Sequence, residues 1–135
     1  MSVTADYVRD LFGNLETGKL ERFFSRVADD VDWTLMGTHP LAGHYTSKSE
    51  VIARTFARIE RIMKGGIVLK VNHVIVSGDE AAVEMESLSV ARNGRPFNNT
   101  YCWAVRFLEG EIVEVRAYVD SALVQLVLDE NESPG

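Results

Sequence analysis

Phe97 to Leu128, FNNTYCWAVRFLEGEIVEVRAYVDSALVQLVL, constrains this chain more than any other stretch. It reads as two long strands joined by Leu108-Glu109-Gly110, a three-residue hairpin loop in which Gly110 takes the φ > 0 position. That loop pairs Phe107 with Glu111, so Val105 faces Val113, Trp103 faces Val115 and Tyr101 faces Ala117. Side chains alternate along a strand. Asn99, Tyr101, Trp103, Val105, Phe107, Val113, Val115, Ala117 and Val119 therefore share one bulky, apolar face. Thr100, Cys102, Ala104, Arg106, Ile112, Glu114, Arg116, Tyr118 and Asp120 share the other, which is smaller and more polar. A two-residue turn at Glu109-Gly110 slips the register by one and scrambles this sorting, so the longer loop is preferred.

Upstream, Asn93-Gly94 is the strongest short hairpin signal, a two-residue turn that pairs Arg92 with Arg95. Counting outward, Leu88 faces Asn99, Glu86 faces Tyr101 and Glu84 faces Trp103. Two carboxylates thus fall on the bulky face, which something must cover. Alternation inside 81–87 alone favours the opposite sorting, with Val83 and Met85 inward and both glutamates in water. The turn count together with Leu88 and Val90 opposes it.

What covers that face lies earlier in the chain. Thr4 caps a first helix with Val8, Leu11, Phe12 and Leu15 on one side, ending near Gly18. Leu20, Phe23, Phe24 and Val27 form a second, shorter helix that stops at Asp29-Asp30. VDWTLM then reads as a strand alternating about Trp33 and Leu35. GTHPLAGHYT, residues 37–46, is a Gly/Pro loop with two of the three histidines. Ser47-Lys48-Ser49-Glu50 is a capping box opening a helix over 47–64, with Val51, Ile52, Phe56, Ile59 and Met63 on its face. Strands over roughly 67–76 and 80–91 follow. Helices first and four antiparallel strands after imply an α+β fold, a strongly bent antiparallel sheet wrapped around three helices with an internal cavity. Residues 1–128 form one domain, and 129–135 a polar, disordered tail.

Charge and cysteine content narrow the partners. A net charge of −6 without Lys/Arg clusters argues against nucleic acid and anionic membranes as partners. No run approaches 18 apolar residues and the N-terminus has no signal-peptide pattern, which points to the cytoplasm. One cysteine, Cys102, rules out an internal disulfide.

ADDVDWTLMGTHPLAGHY, the helix start SKSEV, the NGRPFNNTY hairpin and RFLEGEIVEVRAYVD together resemble the SnoaL-like polyketide cyclase and ketosteroid-isomerase-like superfamily. The resemblance spans nearly the whole chain. It implies the cystatin-like cone shared with nuclear transport factor 2, and it is weak for reaction, since members include isomerases, cyclases, hydrolases, dehydratases and non-catalytic binders. The ketosteroid-isomerase tyrosine and two aspartates fall by this alignment on Leu11, Leu35 and Trp103, so that mechanism is not expected. The last-strand aspartate of the limonene-epoxide-hydrolase type falls on Ala117.

The expected chemistry is cofactor-independent acid/base catalysis on a small, largely apolar organic molecule, of isomerase, cyclase, dehydratase or hydrolase type. Glu84 and Glu86 are the candidate bases, because crowded, desolvated carboxylates have raised pKa values. His39, at the cavity mouth in related folds, is a second acid/base candidate, with a backbone-bonded loop histidine as the plainer alternative. Asn99 and Tyr101 position the substrate. Trp33, Leu35, Phe56, Trp103, Val115 and Ala117 line the site. No metal or cofactor pattern is present. A homodimer is expected through the convex sheet face, built on Thr100, Cys102, Ala104, Ser87 and Ser89, with Val83, Met85, Ile112 and Tyr118 as exposed apolar area. A non-catalytic binding or assembly module on the same fold is the rival reading.

Overall fold

The computed structural model describes residues 2–132. Thr4 caps α1 (Ala5–Glu16), its hydroxyl accepting from the Tyr7 N–H at 3.1 Å, and the 3.6-residue spacing buries Val8, Leu11, Phe12 and Leu15 on one side. α2 (Leu20–Phe24) is short, and β1 (Val27–Leu35) begins at Val27, so Val27 and the Asp29-Asp30 pair belong to the strand and not to the helix or its end. β2 (Gly43–Tyr45) folds back on β1. The capping box forms, with the Ser47 hydroxyl accepting from the Glu50 N–H at 3.2 Å and the Glu50 carboxylate accepting from the Thr46 N–H. The helix it opens, α3, runs as an α-turn over Lys48–Val51, widens to a π-helix over Ile52–Phe56 and continues over Ala57–Arg61. That widening turns Thr55 inward and leaves Ile52 37% exposed, where plain 3.6-residue spacing expects Ile52 on the buried face.

The remaining strands are β3 (Met63–Lys64), β4 (Leu69–Ser77), β5 (Glu80–Ser87), β6 (Ser89–Ala91), β7 (Pro96–Phe97), β8 (Thr100–Leu108) and β9 (Glu111–Val119). The main sheet has the order β2-β1-β9-β8-β5-β4, with β3, β6 and β7 in a small second sheet. The four expected antiparallel strands are β4, β5, β8 and β9, and β1 extends the sheet parallel to β9. α1, α2 and α3 supply the side chains that meet the concave face, where Trp103, Val105, Phe107, Val115 and Ala117 are buried.

Both hairpins differ from the turn counts, and each for a conformational reason. At Asn93-Gly94 only Gly94 has positive φ, at 90°. A two-residue type I′ turn requires positive φ at both central residues, so the chain closes instead through Arg92-Asn93-Gly94, with Ala91 N–H bonded to Arg95 O at 2.9 Å. The register moves by one. Val83 faces Trp103 and Met85 faces Tyr101, while Glu84 pairs with Cys102 and Glu86 with Thr100 on the convex side. The carboxylate pair is therefore not on the bulky face.

At Glu109-Gly110 the opposite happens. Both residues have positive φ, 52° and 81°, and form the two-residue turn, pairing Leu108 with Glu111 and Phe107 with Ile112. A bulge at Val113 then restores the sorting, so Val105 pairs with Val115, Trp103 with Ala117 and Tyr101 with Val119. Ile112 is buried with Phe107, and half-buried Val113 is the extra residue. The expected pairings of Trp103 with Val115 and Tyr101 with Ala117 are two residues off, which keeps those side chains on the expected face. The Tyr7 hydroxyl donates to the Gly110 carbonyl and ties α1 to this turn.

After Val119 the chain does not remain a strand. Asp120 caps a C-terminal helix, α4 (Ser121–Asn131), its carboxylate accepting from the Ala122 and Leu123 N–H groups at 3.1 and 3.3 Å. Val124, Val127 and Leu128, at helical spacing, are buried. Bidentate ion pairs anchor its far end, Arg58 to Glu132 at 2.6 and 2.7 Å and Arg95 to Glu130. Asp129 to Asn131 thus continue α4, where a polar tail is expected; Ser133 to Gly135 lie outside the described residues. The convex face also changes. Val83, Met85 and Ile112 are core residues at 0–2% exposure and Ser87 and Ser89 are buried, so the expected dimer patch loses these five. Among the described residues, no helix is long and apolar enough to cross a membrane.

Candidate functional site

The inward side chains of α1, α2, α3, β1 and β8 meet in an aromatic cluster. Phe12 packs on Phe23 at 5.1 Å, Phe24 on Phe56 at 5.1 Å and Trp33 on Trp103 at 5.2 Å, each edge to face. Rigid rings at these angles do not fill a cone completely. Between them and the wide end lies a cavity that offers about 60 Å3 to the centre of a water molecule. A space of this size admits several waters, or one substituted six-membered ring.

Its wall joins Trp33 and Leu35 of β1, His39 and Leu41 of the loop, Thr55, Phe56 and Ile59 of α3, and Tyr101 and Trp103 of β8. Ile67, Leu69, Phe97, Ala117, Val119 and Val124 complete it. No Asp, Glu, Lys or Arg contributes.

Three titratable or hydroxyl side chains on the wall have defined roles. His39 is 4% exposed. Its Nδ1 accepts from the Leu41 N–H at 3.2 Å and its Nε2 lies 3.1 Å from the Met36 carbonyl. A backbone N–H needs an acceptor and a carbonyl needs a donor, so the ring is the neutral Nε2–H tautomer. Burial lowers its pKa, and the Met36 carbonyl offsets only part of that. The Thr55 hydroxyl donates to Val51 O at 2.6 Å, keeping lone pairs free to accept. Burial pushes the Tyr101 phenol well above its ordinary value of 10.0, partly offset by the neighbouring Ser87 hydroxyl. The phenol is thus a neutral O–H donor at every working pH.

Of the side chains singled out from the sequence, the cavity gathers His39, Tyr101, Trp103, Trp33, Leu35, Phe56 and Ala117. Four are elsewhere. Glu84 is exposed on the convex face and Glu86 half-buried there. Val115 is buried in the core below the cavity wall. Asn99, fully buried, holds backbone. Its Oδ1 accepts from the Thr100 N–H at 2.8 Å and the Asp120 N–H at 3.2 Å, and its Nδ2 donates to Asp120 O at 3.4 Å. Thr55, Leu69, Phe97 and Val124 were not expected. Thr55 reaches the wall only through the π-turn, which has no sequence signature, whereas Asp120 before Val124, Val127 and Leu128 is a readable helix start. Cys102 sits beside Glu84 on the convex face, and burial and that carboxylate raise its pKa, the reverse of an activated thiol. No three His, Cys, Asp or Glu among the described residues are placed to hold a metal ion.

Comparison with known proteins places the fold. Residues 8–115 match the SnoaL-like domain. The dimerizing cyclase phiC of a fungal species is 28% identical over 134 residues, covering 96% of this chain and 59% of that protein. The dimerizing cyclase tstC of Talaromyces stipitatus is 27% identical over 117 residues, covering 84% of this chain and 52% of that protein. The chain therefore spans just over half the length of these curated relatives. Among solved structures, an NTF2-like protein from Burkholderia thailandensis superposes with a TM-score of 0.78 at 22% identity, covering 91% of this chain and 95% of that one. A cystatin-like-fold protein from Xanthomonas campestris gives 0.76 at 22%, covering 90% and 95%. These two show the shared fold. With most of its length inside the family model and the cone formed as that fold requires, the chain belongs to the SnoaL-like domain family.

Proposed function

We propose that the cone holds one small, largely apolar organic molecule and that the chain is a cofactor-independent enzyme of cyclase type, with Tyr101 as the acid that polarises a substrate oxygen. The observation that carries this reading is a neutral phenol on a wall without Asp, Glu, Lys or Arg, where the other polar side chains, His39 and Thr55, are bonded to backbone. Isomerisation next to a carbonyl needs a positioned base, and with Glu84 and Glu86 on the convex face no carboxylate is on the wall. His39 serves as a base only by releasing the Leu41 N–H. Ring closure asks for less, namely a substrate held folded with its ends close, away from water, and an oxygen drawn on by a donor. That the two curated relatives are named cyclases supports the same choice. Self-association through the convex face belongs to this reading too, on the smaller patch of Ile75, Ala82, Cys102, Ala104 and Tyr118. The alternative is a binding module on the same fold without turnover.

Both tryptophans of the chain are on the wall, so their fluorescence reports occupancy. Titration with acetophenone or 2-cyclohexenone is expected to give saturable quenching. Tyr101→Phe should weaken it by about fivefold, the loss of one hydrogen bond of roughly 1 kcal/mol. Glu84→Gln and Glu86→Gln should leave it unchanged. Absence of saturation with every ring-sized carbonyl compound refutes the cavity reading, and loss of binding in either glutamine variant refutes the assignment of the wall.

A further inference from the structure

The indole nitrogens of Trp33 and Trp103 are the polar groups on the wall that nothing above uses. Every side-chain nitrogen or oxygen sealed from solvent among the described residues has a hydrogen-bond partner. Neither indole N–H makes a hydrogen bond to a described residue. Each is therefore unsealed, although Trp33 is only 1% and Trp103 3% exposed. Both rings line the cavity and pack against Phe12, Phe23, Phe24 and Phe56. The cavity that both rings line is the space their open part can face.

Trp can only donate, and an N–H in an apolar enclosure without an acceptor is unfavourable. Water or a ligand must supply that acceptor. The other polar groups restrict the ligand further. His39 has both nitrogens bonded to backbone and Thr55 has its proton on Val51 O; the Tyr101 O–H, beside the Ser87 hydroxyl, is a third donor on the same wall. An anion would have no Lys or Arg to pair with, and a cation no carboxylate.

We propose that the Trp33 and Trp103 indole N–H groups are specificity-determining donors, and that the cavity selects a neutral ring-sized molecule carrying a carbonyl oxygen, such as a ketone or ester. This rests on the cavity being the ligand site, and it names the two side chains that recognise the oxygen. A carbonyl oxygen has two lone pairs, so it can take an indole N–H together with the phenol, or both indoles. A hydrocarbon of the same shape leaves all the donors unpaired.

The chain has two tryptophans, so its 1H–15N spectrum has two indole resonances, assignable with Trp33→Phe and Trp103→Phe. Acetophenone and α-methylstyrene have nearly the same shape and differ in C=O against C=CH2. With the 15N-labelled chain, acetophenone is expected to move at least one indole proton downfield, as a new hydrogen bond does. α-Methylstyrene should bind without that displacement. If both compounds shift the Phe56 and Tyr101 ring signals yet leave the indole protons alike, the cavity reading stands and the donor assignment falls. If neither compound shifts any wall signal, both fall.

Discussion

Asn99 offers the sharpest test of how the site is held, because the sequence makes it look like a ligand contact and the structure makes it a clamp. It stands one residue before β8, fully buried, between the end of β5 and the end of β9. Its own N–H donates to the Ser87 hydroxyl at 2.8 Å, and its carbonyl accepts from the Ser87 N–H at 2.9 Å. Its side chain holds Thr100 and Asp120, the residue that caps α4. Asn99→Ala keeps the backbone bonds and deletes the side-chain ones. The Thr100 N–H loses its 2.8 Å partner, and an unsatisfied backbone donor away from water costs roughly 1–3 kcal/mol. The Asp120 N–H keeps a longer bond to Thr100 O at 3.3 Å, so its share is smaller. The 3.4 Å bond from Nδ2 adds little. The expected loss is about 2 kcal/mol. With a urea m-value of about 2 kcal/mol/M, the unfolding midpoint falls by about 1 M at unchanged m.

Asn99→Asp refines the test. Its carboxylate can accept from both N–H groups but faces the Asp120 carbonyl, acceptor against acceptor. Once protonated, it donates there as the amide does. Full burial disfavours the charged form more than the two N–H bonds favour it, so its folded pKa should lie above the unfolded value. Relative to wild type at each pH, this variant should be near parity below pH about 3.9 and lose stability as pH rises through the folded pKa. A midpoint shift under about 0.2 M for Asn99→Ala, with weakened acetophenone binding instead, would show a ligand residue and refute the clamp.

The buried His39 predicts an acid limb in stability. Its pKa is lowered in the folded state, so below its ordinary value of 6.5 the unfolded chain takes up a proton that the folded chain does not. Stability should start to fall near pH 6.5 by up to about 1.4 kcal/mol per pH unit, until the folded pKa is reached. His39→Gln should flatten that limb in urea titrations between pH 7 and 5, and an identical limb in the variant would assign it to other groups. Self-association through the convex face predicts a dimer in sedimentation velocity at micromolar concentration. Ala104→Glu, at the centre of the remaining patch, should yield monomers that retain acetophenone binding, and a monomeric wild type would remove the proposal.

The layered fold was legible because each helix face and each long strand carries its own period. Thr4 before Val8, Leu11, Phe12 and Leu15, and Ser47 before Glu50, specify helix starts by local chemistry, and both caps form. The bulky face of β8 was legible for the same reason. The glutamates were not, because their placement rested on a turn length, and period 2 converts a one-residue error into the opposite face. Asn-Gly permits two loops that differ by whether Asn93 crosses to positive φ. The chain resolved that choice through the inward preference of Val83 and Met85, which local alternation already expressed.

The two hairpins show how the cavity comes to be free of carboxylates. Each turn alone is ambiguous, and burial decides both. At Asn93-Gly94 the three-residue loop puts Val83 and Met85 under Trp103 and Tyr101, sparing the desolvation of two carboxylates, whose isolated burial costs far more than any turn preference. At Glu109-Gly110 the tight turn sets Phe107 against Ile112, and the bulge at Val113 then keeps Val115 and Ala117 inward. A non-glycine residue at positive φ and a bulged strand are small local costs against burying Ile112, Val115 and Ala117 together. The same rule admits Trp33, Tyr101 and Trp103 inside, beside the backbone-bonded His39 and Thr55, since an aromatic side chain can satisfy the apolar wall with its ring and still present an N–H or O–H. The chemistry proposed for this cone is therefore donor chemistry.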